Sequence, residues 1–190
     1  MSSTLAGTHA ATHRTARGQM LAARMHDRGG VDGVVVDRIA IGEPGEGEVL
    51  VATSAAGVTS NELTWSTAWV DESGSERLPV VPGHELSGVV VEVGPGVQRF
   101  SAGDVVFGIP DLFRDGAMAE FTVVAEGALV AKPRRVSHDA AAALALSGLT
   151  AWQALFTEGR IRADEHVLIH AARAASATWQ CSSRVGPVHA

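Results

Sequence analysis

The sequence has a single cysteine, Cys181, among 190 residues. One cysteine cannot form an intrachain disulfide or build a cysteine-based metal cluster, so a reducing, cytoplasmic location is expected. Excess positive charge is also missing: the net charge of -6 argues against nucleic acid or an anionic membrane as a partner. No apolar run approaches the roughly 20 residues of a membrane span. The chain is 46% hydrophobic and 19% charged, which is ordinary for a globular protein with a sizeable core.

Acidic residues are absent from the first 26 positions, where Ser, Thr, Ala and His surround a few arginines. A transit peptide has this composition, and so does a disordered tail. We expect residues 1–19 to be a disordered tail. A natural start at Met20 is the remaining alternative, because the ordered pattern begins there.

The region 20–133 is rich in β-branched runs that are separated by glycine-containing turns, a pattern that predicts short strands. The expected strands lie within 20–26, 33–41, 48–58, Val89–Val93, Val105–Phe107 and two short runs on either side of Glu126–Gly127. A short helix is possible in 61–70. Strands of this length joined by tight turns predict a small β-barrel.

After Pro133 the hydrophobic period changes from two to about 3.6, which indicates helix. Ser137 is placed as an N-cap, and a helix is expected over Ala140–Leu146. Gly148 is expected to interrupt it before a second, amphipathic helix over 149–158 that ends near Gly159. The run HVLIH at 166–170 then predicts a short buried strand.

Four segments together resemble the medium-chain dehydrogenase/reductase superfamily. They are PGEGEVLVATSAAGVTSNEL at 44–63, VPGHELSGVVVEVGPGVQRFSAGDVVFG at 81–108, GAMAEFTVV at 116–124 and AAALALSGLTAWQAL at 141–155. The resemblance implies a mainly β fold with some α: a GroES-like β-barrel over 20–133, followed over 134–170 by two helices and the first strand of an otherwise missing Rossmann domain. It also implies hydride transfer from NAD(P)H, for which the protein supplies orientation.

The zinc-dependent branch of that family places a metal ligand at the position of His84, with Glu85 beside it. Its two cysteine ligands would fall at Thr59 and near Leu146, which cannot bind zinc in that manner. We therefore expect no metal site, and hydrogen-bonding roles for His84 and Glu85. The resemblance is then to the zinc-free, quinone-oxidoreductase-like branch, which uses NADPH to reduce quinones, enones or related carbonyl compounds. Glu62 aligns with an acidic position of the family, where a salt bridge or loop hydrogen bond is as plausible as chemistry.

Five residues are candidates for the substrate side of the cleft. Thr59 and Asn61 could donate hydrogen bonds to a developing oxyanion, although the family often has asparagine at the position of Thr59. Thr150 matches a position close to the nicotinamide; the alternative is a hydroxyl bonded to its own helix. Trp65 and Trp69 could line the cleft, or could be core. No catalytic acid, base or nucleophile can be assigned.

Glycine is missing between Gly159 and Gly186, where a Rossmann domain needs a glycine-rich turn to approach the cofactor phosphates. Reading GC-rich codons for 172–177 two bases later gives Gly-Ala-Gly-Gly-Val-Gly. We therefore expect residues 171–190 to be out of frame and disordered, and NADPH binding by this chain to be weak or absent. The alternative function is a non-catalytic GroES-like fragment or binding module. A full-length form could be a homodimer.

Overall fold

The computed structural model describes residues 18–28, 30–59, 62–65, 69–162 and 165–169. Seven strands form within them, as the patterning predicted. They are β1 (Gln19–Met25), β2 (Val34–Ala40), β3 (Glu48–Gly57), β4 (Glu85–Val93), β5 (Val105–Gly108), β6 (Phe121–Ala125) and β7 (Leu129–Ala131). Strand β1 begins inside the tail expected over 1–19, while 1–17 and 171–190 lie outside the described residues.

The predicted barrel consists of two antiparallel sheets. Strands β1 and β2 form one sheet, and the other has the order β6-β3-β4-β5-β7. Backbone bridges from Ala22 to Ala119 and from Met25 to Val80 connect β1 to the rest of the domain. Strands β3 and β4 are adjacent inside the larger sheet, and each has hydrogen-bonded neighbours on both sides, as β5 also does. The ends of these two strands therefore have fixed positions, and the candidate site is built on them.

The main core lies on one face of the five-stranded sheet. Its buried residues include Val49 and Val51 of β3, Leu86 and Val90 of β4, and Val106 of β5. Their spacing of two or four along each strand is that of side chains on one face of a pleated sheet. Alternate side chains point toward the core, and their burial stabilises the pairing of these strands.

Close approach of β3 and β4 requires glycine at one position. A Cβ added at Gly88 would lie 2.2 Å from the carbonyl oxygen of Ala52 on the paired strand. No side chain fits at that distance, so Gly88 lets the two backbones meet.

The prediction of two helices is wrong. A single helix runs from His138 to Glu158: α1 (His138–Trp152) continues into a π-helical segment, Gln153–Glu158. Gly148 does not interrupt it, because one glycine costs a helix only about 1 kcal/mol and packing on the sheet outweighs that. Helix α1 contacts β3, β4 and β5. Its N-cap is the predicted one, since the Ala140 amide donates to the Ser137 hydroxyl at 3.2 Å.

The prediction of a buried Rossmann strand at 166–170 is also wrong for the part described. Residues 165–169 have no strand assignment, and Leu168 is 80% exposed. A strand requires a hydrogen-bonded neighbour, and none of the described strands pairs with this segment. His170 lies outside the described residues. The possible helix in 61–70 is a 3₁₀ turn over Glu62–Thr64, with 61 and 66–68 not described.

One helix in the described part of the chain, His138–Glu158, is long and apolar enough to cross a membrane by length and composition. Core helices of soluble proteins meet the same criteria. Helix α1 packs on three strands of the sheet, and 28% of the apolar window is buried.

Candidate active site

Three ionisable side chains are buried together where β3 ends and β4 begins. Glu62 opens the 3₁₀ turn that follows β3, and His84 and Glu85 stand at the start of β4. Only 1% of Glu62, 2% of His84 and 7% of Glu85 are exposed. Charged residues are rarely buried this deeply unless they are paired, so each requires a partner.

Glu62 accepts hydrogen bonds on both carboxylate oxygens. Its Oε1 lies 2.6 Å from His84 Nδ1 and 2.7 Å from the Gly83 amide, and its Oε2 accepts the Thr59 amide at 3.3 Å. Burial by itself would raise the pKa of this carboxyl, but the hydrogen bonds from His84 and the backbone amides outweigh it and lower the pKa. Glu62 is therefore an ionised group that holds the His84 turn.

His84 has an oxygen acceptor at each ring nitrogen. Nδ1 faces the ionised Glu62, and Nε2 lies 3.3 Å from the carbonyl oxygen of Arg114. No group of three or more metal-ligating side chains occurs among the described residues. The expectation of a hydrogen-bonding His84 is confirmed, while the expected absence of a zinc site stays a prediction.

Glu85 contacts the helix. Its Oε1 accepts the amide of Leu146 at 2.9 Å, which confirms the expected hydrogen-bonding role. Burial raises the pKa of the Glu85 carboxyl, the nearby charge of Glu62 raises it further, and amide hydrogen bonds from Leu146 and Ser147 partly offset the rise. The two buried carboxyls, Glu62 and Glu85, thus have pKa values displaced in opposite directions.

The candidate contact residues occupy different settings. Thr59 is half-buried, and its amide is fixed by Glu62. Asn61 lies outside the described residues. Thr150 is exposed on α1, and its hydroxyl donates to the carbonyl oxygen of Leu146 at 2.7 Å. The Thr150 hydroxyl is therefore bonded to its own helix, which was the alternative to a role near the nicotinamide. While that bond is in place, the hydroxyl oxygen can still accept a hydrogen bond. Roles toward substrate or nicotinamide stay predictions for all three.

The two tryptophans pack in a second core cluster. Trp69 is 4% exposed and lies with Met25 and Val80, while Trp65 is partly buried against the same cluster. Both therefore have the contacts of core residues. Their role in a substrate cleft stays a prediction.

The burial of Glu62 was missed from the sequence, although a signal was present. Thr59 and Glu62 have the spacing of a capping box, in which the acid three residues on bonds back to the backbone amide of the cap. The structure has that bond, together with a bond from the Glu62 amide to the Thr59 carbonyl at 2.8 Å. The pattern predicts the two hydrogen bonds between Thr59 and Glu62, but only the fold brings His84 to Glu62.

An apolar groove, which the sequence did not predict, lies between α1 and the edge formed by β5 and β7. Its volume is about 730 Å³. The larger side chains that line it are Phe107, Ile109, Val130, Leu144, Leu149 and Trp152. Half of the Trp152 side chain is exposed.

Comparison with known proteins gives consistent similarities. Residues 45–134 match the family described as alcohol dehydrogenase GroES-like domain. The chloroplastic quinone-oxidoreductase homolog of Spinacia oleracea is 34% identical over 155 residues, covering 76% of this chain and 45% of the relative. The quinone oxidoreductase of Rattus norvegicus is 32% identical over 154 residues, covering 80% and 46%.

The native structure of a mycobacterial quinone oxidoreductase superposes with a TM-score of 0.73 at 28% identity. The match covers 85% of this chain and 48% of that one. The chain thus spans about half the length of the relatives that it matches.

Proposed function

Because the chain belongs to the medium-chain dehydrogenase/reductase superfamily and contains its GroES-like domain, we propose that it is the substrate-side half of an NADPH-dependent, zinc-independent oxidoreductase. The reaction is reduction of a quinone, an enone or a related carbonyl compound by hydride transfer. Similarity to proteins named quinone oxidoreductase in spinach and rat supports this substrate class. Since the chain covers under half of each, the activity of a whole enzyme remains a proposal.

The observation that carries the zinc-independent assignment is the setting of His84. Both of its ring nitrogens face oxygen acceptors, Glu62 on one side and the Arg114 carbonyl on the other. The resemblance places the other two ligands of the zinc branch at Thr59 and near Leu146. A catalytic zinc needs three protein ligands and an open position, and one histidine without those two cysteines is not such a set.

Without a metal, hydrogen-bond donors or solvent must stabilise the negative charge that develops on the substrate oxygen. Thr59 lies two residues after the end of β3, and its backbone amide donates to Glu62. Asn61, two positions further along the sequence, is the second proposed donor. The cofactor, when bound, supplies the hydride.

The proposal includes the frame of the last segment. A cradle for the cofactor phosphates requires glycines, and the sequence has none between Gly159 and Gly186. We infer that residues 171–190 are read out of frame and that this chain binds NADPH weakly or not at all. The location is proposed to be cytoplasmic, and a frame-restored protein is proposed to form a homodimer.

The alternative is a non-catalytic GroES-like fragment or binding module. One observation favours it: the apolar groove beside α1 leaves Leu149 46% and Trp152 51% exposed. Exposed apolar area of this kind is common at sites that contact another protein surface.

Sequencing the gene across codons 160–190 and beyond tests the frame first. The 190-residue chain and any frame-restored protein are then titrated with NADPH and NADH, with energy transfer from tryptophan as the signal. We expect saturable NADPH binding and quinone or enone reduction only in the restored protein, unaffected by a zinc chelator. Stoichiometric zinc with chelator-sensitive activity would overturn the zinc-independent assignment. Tight NADPH binding by the 190-residue chain would contradict the frame argument.

A further inference from the structure

Glu85 joins the start of β4 to the middle of α1. Its carboxylate accepts the Leu146 amide at 2.9 Å, and the Ser147 amide also bonds to it. Amides in the middle of a helix ordinarily bond to the carbonyl four residues earlier. A carboxylate from another element that bonds to two successive helix amides therefore fixes this turn of α1 relative to the sheet.

The fixed turn leads directly to Thr150. The Leu146 carbonyl, on the other side of the same residue, accepts the Thr150 hydroxyl at 2.7 Å. A short path of hydrogen bonds thus runs from Glu85 through Leu146 to Thr150. Both bonds are within normal hydrogen-bond distance.

The backbone leaves room for this carboxylate. Gly57, the last residue of β3, is paired with Glu85 across the sheet. A Cβ at Gly57 would lie 2.5 Å from Glu85 Oε2 and 3.1 Å from Glu85 Cβ. A side chain at this position would therefore press on the Glu85 carboxylate, and glycine leaves it the space in which it meets the helix.

We propose that Glu85 is a positioning residue: its carboxylate holds the Leu146–Thr150 turn of α1 and so determines where Thr150 stands on the substrate side. The functional part rests on the function proposed above. Glu85 acts only through the helix. It differs in this from Glu62, whose bonds go to Thr59, Gly83 and His84.

Amide hydrogen exchange measured by NMR on the 190-residue chain tests the proposal. Glu85→Leu removes the acceptor, Glu85→Gln keeps an oxygen without the charge, and Gly57→Ala displaces the carboxylate without changing it. Hydrogen bonds to charged groups are strong enough that their loss should accelerate exchange about tenfold to a hundredfold. We expect that change at Leu146 and Ser147 in Glu85→Leu and Gly57→Ala, and a smaller one in Glu85→Gln.

The reference is the Ala141 amide in the first turn of the same helix, which donates to Ser137 at 3.0 Å. The control variant is Glu126→Gln, because Glu126 also accepts two backbone amides but stands in the turn between β6 and β7. It should leave the exchange of Leu146 unchanged. The downfield shift of the Leu146 amide proton, expected for a bond to a carboxylate, should be reduced in Glu85→Gln.

Equal acceleration at Ala141 and Leu146 would overturn the proposal, because it would mean a general loss of stability. Unchanged exchange at Leu146 in every Glu85 variant would also overturn it. If Glu85→Leu does not fold, the exchange rates of Leu146 and Ser147 in Glu85→Gln and Gly57→Ala test the proposal. The exchange measurement needs no cofactor, so it tests the role of Glu85 separately from the proposed function. The NADPH titration can contradict the proposed function while the exchange pattern supports the role of Glu85, and the opposite result is equally distinguishable.

Discussion

Replacing Glu62 with leucine should destabilise the domain strongly. The change leaves two buried donors, His84 Nδ1 and the Gly83 amide, without the oxygen that now lies 2.6 and 2.7 Å away. An unsatisfied buried donor costs about 1–3 kcal/mol, and this change leaves two of them. We therefore expect the free energy of unfolding to fall by about 2–6 kcal/mol, a large part of the roughly 5–15 kcal/mol typical of a domain.

Urea denaturation monitored by tryptophan fluorescence measures this loss by linear extrapolation. The matched control is Glu43→Leu, the same substitution at an exposed position, expected to change stability by no more than about 0.5 kcal/mol. In a double-mutant cycle, the variant with both Glu62→Leu and His84→Leu should be less destabilised than the sum of the single variants, because neither side chain is left buried without its partner.

A loss below about 1 kcal/mol in Glu62→Leu would refute the reasoning, because it would show that water reaches the pair. Strict additivity in the cycle would do the same. It would mean that the two side chains do not interact across the 2.6 Å that separates them.

Three further predictions concern stability. Because the pKa of Glu62 is lowered in the folded state, ionised Glu62 stabilises the fold above the ordinary glutamate pKa, and this stabilisation is lost as pH falls through the folded-state pKa. The difference in the free energy of unfolding between wild type and Glu62→Gln, measured in urea at each pH, should therefore shrink on acidification. Trp69→Ala should cost about 3–5 kcal/mol in the same assay if Trp69 is a core residue, and under about 1 kcal/mol if it chiefly contacts substrate. Gly88→Ala should cost about 1–3 kcal/mol or prevent folding, because the new Cβ would meet the Ala52 carbonyl at 2.2 Å; wild-type thermal stability by circular dichroism would contradict the close approach.

Local patterns predicted the elements well where one physical signal dominated. Every expected strand through β7 forms, because β-branched residues with alternate burial between glycine turns have few other stable arrangements. The Ser137 N-cap forms as expected because it also depends on a local signal: the Ala140 amide that donates to Ser137 is only three residues away. These features depend on neighbours in the sequence.

The errors arose where a weak local signal met a strong long-range one. Gly148 suggested a break, but contacts of α1 with three strands keep the helix continuous. The run at 166–170 suggested a strand, but no described strand is available to pair with 165–169. Propensity is a weak prior in both cases, and packing or its absence decides.

The sequence by itself determined the strands, the glycine positions and the family, because these depend on residue type and spacing. From the residues at the three ligand positions of the zinc branch it also predicted the absence of a zinc site, which stays a prediction. Only the tertiary structure decided what the buried ionisable groups do. Glu62 and His84 are 22 positions apart, and Glu85 and Leu146 are 61 apart. The pKa of each carboxyl depends on which donors the fold brings to it and on how much water it removes, and no local pattern contains that information.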